Sequence, residues 1–335
     1  MEEIMKGHAR KRIICITAAA AVLSGGCATQ KNSMEEDAMM REENVQIEID
    51  AGTLYGTIDL PASGTPCPVI LIIPGSGPTD RDGNSSLMKK QNNSLKMTGA
   101  WFAANGIAAL RYDKRGVGQS TVSTPPEETV FNDMITDAEK WIEYLKRDDR
   151  FTSMGILGHS EGSLVGMCAA SRQPVDYFIS VAGAGRKADV MLREQLSSQP
   201  GFVKNKAYPI LDELSEGRRV NEVPKILMSL FKPEHQPYFI SWNSYDPASI
   251  IETLEIPILI AQGSTDIQTN LKDAEILSSA NPKAELAVID GMNHILKDAP
   301  KGQLRNLRTY SNPKLPLSEN FTETLSEFLH KYRFI

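Results

Sequence analysis

The sequence predicts an α/β chain: an open, mostly parallel sheet of eight strands flanked by helices, with one helical insertion. Three observations carry this expectation. Two alternating segments around a turn are followed by short, nearly continuous apolar runs, the mark of strands buried on both faces. Amphipathic helical patterns separate most of those runs, as in repeated βα units. One long stretch late in the chain carries helical patterns and no strand.

Composition narrows the function classes. The 335 residues are 41% hydrophobic and 23% charged, which suits an ordinary buried core and excludes a disordered, collagen-like or coiled-coil chain. Lys and Arg number 36 against 42 Asp and Glu, a formal charge of −6, so no basic field is available for nucleic acid phosphates. Cys15, Cys27, Cys67 and Cys168 are scattered, without a CxxC or Cys/His cluster. Neither a disulfide framework nor a zinc site is expected, and no cofactor or metal is implied.

The elements follow in chain order. Lys6, Arg10, Lys11 and Arg12 precede an apolar run from Ile13 to Leu23. That run is short of the roughly 20 residues a spanning helix needs, and it fits the core of a secretory signal. Leu23-Ser24-Gly25-Gly26-Cys27 resembles a bacterial lipobox, in which the cysteine is acylated and opens the mature chain. Leu23 stands four residues before Cys27 where the motif usually has three. Residues 1–26 are therefore expected to be a lipoprotein-type signal, and the polar, acidic stretch 27–44 a tether. The mature protein is expected to be secreted across the bacterial inner membrane and held by a lipid anchor at Cys27, periplasmic or at the cell surface.

Val45–Asp50 and Leu54–Leu60 alternate around Ala51-Gly52 and predict a hairpin. Strands are expected at Val69–Ile73, Ile107–Leu110, Met154–Leu157, Tyr177–Val181, Ile256–Ala261 and Ala284–Ile289. Helices are expected over Thr98–Asn105, Phe131–Leu145, Leu164–Ala170, Asn270–Ala280 and Leu317–Tyr332. From Arg186 to about Asn243 only helical patterns occur. This assigns 45–185 and 248–335 to a core and 186–247 to a helical cap.

Gly158-His159-Ser160-Glu161-Gly162 follows a strand and precedes a helix. In that setting G-x-S-x-G forms a sharp turn that exposes the serine hydroxyl at a helix N-terminus, where the dipole favours developing negative charge. Larger residues two before or two after the serine would meet neighbouring chain, so glycine is needed at both places. Ser160 is the candidate nucleophile. Of five histidines, His294 follows the last strand and is the natural base; His159 lies inside the elbow and is expected to point elsewhere. Asp266, on the loop after the strand Ile256–Ala261, is the candidate that orients the imidazole; Asp246 and Asp290 are weaker rivals. The chain order Ser160, Asp266, His294 is the one expected for a nucleophile elbow on such a sheet.

An oxyanion hole needs two aimed N–H groups. Candidates are the backbone N–H of Glu161, just after the nucleophile, and that of Ser76 in Pro74-Gly75-Ser76-Gly77-Pro78. Losing one such donor typically costs about 3 kcal/mol of transition-state stabilisation. Asp80-Arg81-Asp82-Gly83-Asn84 superficially suggests a calcium loop, but the glycine comes too early and no glutamate is correctly spaced, so a loop lining the entrance is expected instead. Asp113 and Arg115 are expected to form an ion pair supporting the oxyanion loop.

Together these residues resemble the α/β-hydrolase superfamily over nearly all of 45–335. The stretches Gly75 to Asn84 (GSGPTDRDGN) and Arg111 to Ser120 (RYDKRGVGQS) resemble a bacterial subgroup of esterases and serine-aminopeptidase-like hydrolases. The resemblance implies a cap between the sixth and seventh strands and hydrolysis of carboxylic esters, often of short acyl chains. Pro74 stands where many relatives have histidine, which leaves the backbone donor intact. Substrates in this reading are small-molecule or glycan-linked esters. The alternatives are a peptide or amide hydrolase of the aminopeptidase type and a non-catalytic surface lipoprotein. Oligomeric state is not readable from the sequence.

Overall fold

The alternating segments form a hairpin, β1 (Met40–Ile49) antiparallel to β2 (Gly52–Pro61). The computed structural model describes residues 40–87, 90–125, 127–197 and 199–335. The expected signal, Cys27 and the first part of the expected tether lie outside the described residues. The strand starts earlier than the alternation suggested, so residues 40–44, expected in the tether, pair with β2. Their acidic side chains are edge-strand charges with partners: Arg150 reaches Glu43 at 2.9 Å and Lys96 reaches Glu42 at 3.1 Å.

The sheet continues through β3 (Cys67–Ile73), β4 (Ala108–Tyr112), β6 (Phe151–His159), β7 (Tyr177–Val181), β8 (Ile258–Gly263) and β9 (Glu285–Ile289). Its order is β1-β2-β4-β3-β6-β7-β8-β9, and every pair from β4 onward is parallel. A two-residue strand, β5 (Thr121–Val122), pairs with β2 outside this path; it is too short to leave a sequence signal.

β3 explains why the interior strands read as unbroken apolar runs. Val69, Leu71 and Ile73 enter one core and Ile70 and Ile72 the other, because side chains alternate across a pleated strand. The first core is closed by α2 (Phe131–Lys146), α3 (Glu161–Arg172) and α9 (Leu271–Ala280), the second by α1 (Ser94–Ala104) and α11 (Glu319–Lys331). In α2, Phe131, Met134, Ile135, Ala138, Trp141, Ile142 and Leu145 form one buried stripe at helical spacing. Burying each of the larger ones is worth about 1.5–3 kcal/mol. β9 departs from the expectation: it is an edge strand, and Leu286 and Val288 face outward.

Between β7 and β8 the chain forms α4 (Ala188–Ser197), α5 (Gly201–Ser215), α6 (Met228–Phe231) and α7 (Gln236–Asn243), then α8 (Pro247–Ile251) on the main body. The first four enclose their own small core around Ala207, Leu211, Leu214 and Phe231. Tyr238 and Trp242 of α7 seat this cap on Phe131 of α2, with ring centroids 5.8 and 6.0 Å apart. Helix α10 (Gln303–Thr309) escaped the sequence reading because its pattern is inverted. Leu304 and Leu307 are exposed, while Asn306 is fully buried.

The parallel strands β3, β6, β8 and β9 all end at one edge of the sheet. The loops carrying Ser76, Ser160, Asp266 and His294 therefore gather there, where open α/β sheets place their sites.

Candidate active site

Ser160 sits between β6 and α3 at φ 56°, ψ −122°, a backbone conformation that L-residues rarely adopt. Such strain costs on the order of 1–3 kcal/mol and persists only where its surroundings fix it. They do so here. Ser160 N–H donates to Val181 at 2.9 Å, and Ser163 N–H donates back to the Ser160 carbonyl at 2.9 Å. The flanking glycines are sterically required. A Cβ on Gly158 would lie 2.3 Å from the Gly162 carbonyl, and one on Gly162 would lie 2.3 Å from the Ile73 carbonyl.

His294 and Asp266 meet at 2.8 Å, Nδ1 to Oδ2. The Asp266 carboxylate is encircled by donors: Gln268 N–H at 2.7 Å, Thr269 N–H at 3.1 Å and Thr269 Oγ1 at 2.9 Å. Burial alone would raise its pKa, but His294 and these backbone donors outweigh burial and hold it below the usual carboxylate value. An ionised carboxylate only accepts, so Nδ1 of His294 is the donor in this pair. Among the described residues the Ser160 hydroxyl makes no hydrogen bond. Catalytic hydrogen bonds are often long before substrate arrives.

The residue expected to point elsewhere does not. His159 Nε2 donates to the backbone carbonyl of His294 at 2.7 Å, and the two rings lie 4.9 Å apart. Burial, helped by the neighbouring His294, lowers the His159 pKa to about 4, so the ring is a neutral donor at physiological pH.

Asparagine side chains lock the loop carrying His294 to the loop carrying Asp266. Asn306 Nδ2 donates to the Thr265 carbonyl at 2.7 Å, and its Oδ1 accepts from Asn293 at 3.1 Å. Lys297, fully buried, donates to the carbonyls of Asn92 at 2.6 Å and Asn312 at 3.0 Å. Asn306 and Lys297 went unnoticed in the sequence, since neither carries a local motif.

Ser76, Ser160 and Glu161 line one cavity of about 260 Å³. Its other walls include Leu164 of the core and Met191, Leu192 and Trp242 of the cap. Gly75 passes close to Ser160, since a Cβ there would lie 3.1 Å from the Ser160 Cβ. Glu161 opens α3, so its N–H lies among those a helix start leaves free. The Asp80–Asn84 loop does not line this cavity; Asp80 Oδ1 instead accepts from the N–H of Asp82 at 3.0 Å and Asn84 at 2.8 Å.

The expected Asp113–Arg115 pair is not formed. Asp113 takes Arg81 at 2.6 Å and the Arg81 N–H at 2.8 Å, while Arg115 turns to Asp137 at 2.6 Å. Asp113 still braces the loop after β3, but its partner comes from that loop itself. Arg115 braces α2.

Comparison with known proteins bears on the fold and on a likeness to esterases. Residues 89–235 match the family model described as serine aminopeptidase, S33. Esterase EstD of Thermotoga maritima is 28% identical over 262 residues, covering 74% of this chain, and the chain spans 59% of that relative's length. Among solved structures, Est1E from Butyrivibrio proteoclasticus with bound ferulic acid superposes with a TM-score of 0.58 at 19% identity, over 86% of this chain and 99% of its own. The Pyrococcus furiosus esterase Pf2001 gives 0.55 at 15% identity, over 92% of this chain and 96% of its own. With its sheet order, its strained serine after β6 and these structural likenesses, the chain has the α/β-hydrolase fold.

Proposed function

We propose that this protein is a serine hydrolase that cleaves carboxylic esters through an acyl-enzyme. Ser160 Oγ attacks the ester carbonyl while His294 Nε2 takes its proton. Asp266 stabilises the resulting imidazolium without accepting the proton itself. The N–H groups of Ser76 and Glu161 receive the oxyanion. His294 then protonates the departing alkoxide, and a water activated by the same imidazole releases the acid. The observation that carries the reading is the 2.8 Å Asp266–His294 pair at the sheet edge that also presents a strained serine. Likeness to EstD supports an ester substrate. A cavity of about 260 Å³ with Leu164, Leu192 and Trp242 in its walls suits a short or small aromatic acyl group, whether free or glycan-linked.

The match to the serine aminopeptidase model favours a second reading, cleavage of aminoacyl amides. The purified protein is expected to turn over short-chain aryl esters, and Ser160→Ala to fall to background. Faster turnover of an aminoacyl amide than of any ester would favour the second reading. A folded protein inactive on both would leave only a binding role.

We further propose that residues 1–26 are a lipoprotein-type signal and that acylated Cys27 anchors the domain to a membrane after secretion, on the strength of the basic-apolar-small pattern alone. Cys27→Ser is expected to abolish lipid incorporation and move the protein to the soluble fraction. Lipid incorporation undiminished in that variant would refute the anchor.

A further inference from the structure

Lys114, on the loop after β4, is buried, and its amine points at the edge where the site lies. Nζ donates to the Gly75 carbonyl at 2.5 Å and lies 3.9 Å from Glu161 Oε1. That same carboxylate oxygen accepts from the Tyr238 hydroxyl of the cap helix α7 at 3.0 Å. We propose that Lys114 is a positioning residue that sets the Ser76 half of the oxyanion hole and, through Glu161 and Tyr238, ties it to the seating of the cap. The inference rests on the Ser160 reading above.

The argument is one of peptide geometry. The Gly75 carbonyl and the Ser76 N–H belong to a single peptide unit. In a trans peptide they point in opposite directions. Holding the carbonyl from one side therefore aims the N–H to the other. A glycine on one side makes this unit easy to turn over, so an external hold has a job to do. Lysine supplies it in either protonation state, because an amine and an ammonium both donate. The hydrogen bond also polarises the peptide and strengthens its N–H as a donor.

The second half of the network involves the other oxyanion donor. Glu161 offers its backbone N–H to the site and its side chain to Lys114 and Tyr238. One buried chain of contacts thus runs from the cap, through the residue after the nucleophile, to the peptide before Ser76. Burial pulls the Lys114 ammonium down and pushes the Glu161 carboxyl up, each against the pull of the other's charge. A buried pair of this kind is poorly explained as a contribution to stability, since buried ion pairs often do no better than apolar residues.

The test uses the full-length protein, a short-chain aryl ester, and a trifluoromethyl ketone bearing the same acyl group, which binds as an oxyanion on the serine. Lys114→Met is expected to lower kcat about 30-fold with KM changed less than about 3-fold, and to weaken ketone binding by a similar factor. Lys114→Arg, which keeps a donor, is expected to recover most of both. A Lys114→Met protein with wild-type kcat and ketone affinity overturns the proposal. So does one whose kcat falls while ketone affinity stays put. Should Lys114→Met fail to fold, Tyr238→Phe reads the same network from the cap. A fall in kcat of about 3-fold with matching loss of ketone affinity supports the proposal, and no change in either overturns it. Wild-type protein that a fluorophosphonate fails to modify at Ser160 removes the underlying reading as well. A modified wild type beside an indifferent Lys114→Met removes the proposal alone.

Discussion

His159 Nε2 holds the backbone carbonyl of His294 at 2.7 Å, so the residue before Ser160 fixes the main chain of His294. The bond spans 135 residues of sequence and joins the end of β6 to the loop after β9. His159→Leu removes the donor and leaves a buried carbonyl unpaired, at a cost of about 1–3 kcal/mol in stability. We expect kcat/KM to fall about 10-fold, read from ester kinetics beside a denaturant titration. Unchanged kinetics would make the contact purely structural.

The same histidine gives the fold a pH dependence. Its pKa is lowered by burial from 6.5 to about 4, so it stays neutral in the folded state while the unfolded chain takes a proton. Stability from this group is intact above pH 6.5 and declines as pH falls toward 4. The loss is on the order of 3 kcal/mol across that window. Denaturation midpoints measured over the window should decline for wild type and decline less for His159→Leu. Parallel slopes would contradict the assignment.

Asp266→Asn keeps the shape of the acid but lets the imidazole adopt the wrong tautomer. We expect kcat to drop by about three to four powers of ten with KM little altered. A loss smaller than about tenfold in steady-state kinetics would mean that another group orients His294.

Asn306 ties the loop of Asp266 to the loop of His294 from the exposed helix α10. Asn306→Leu leaves the Thr265 carbonyl and the Asn293 amide without this partner, costing about 1–3 kcal/mol for each. Lower thermal stability with a reduced kcat is expected. A change in stability alone would separate the loop clasp from catalysis.

In the proposed reading Leu192 bounds the acyl site on the cap side. Leu192→Ala enlarges, from the cap side, the cavity that Ser160 also lines. A series of aryl esters should show the preferred acyl chain lengthening by one or two carbons, judged by kcat/KM. An unchanged preference would place the acyl group elsewhere.

What the sequence made legible was local. The elbow glycines, the apolar strands and the stripe on α2 each follow from a pattern within a few residues. That Asp266 and His294 would meet could be read because strand ends in a parallel sheet share an edge. What stayed hidden depends on distant partners. His159 was misread because its acceptor lies on another loop, and Arg115 because Asp137, not its neighbour Asp113, received it. Asn306 and α10 were missed because a buried asparagine between exposed leucines reverses the usual helical signal. The start of β1 was misplaced because its glutamates look solvated until Arg150 and Lys96 are folded beside them.

The central claim is that Ser160 is a nucleophile activated by His294. Its most direct measurement is intact mass spectrometry with peptide mapping after brief exposure to a fluorophosphonate. One adduct on Ser160 is expected in the wild type, none in Ser160→Ala, and a greatly slowed adduct in His294→Ala. Labelling that persists in Ser160→Ala, or that proceeds at the wild-type rate without His294, would contradict the account.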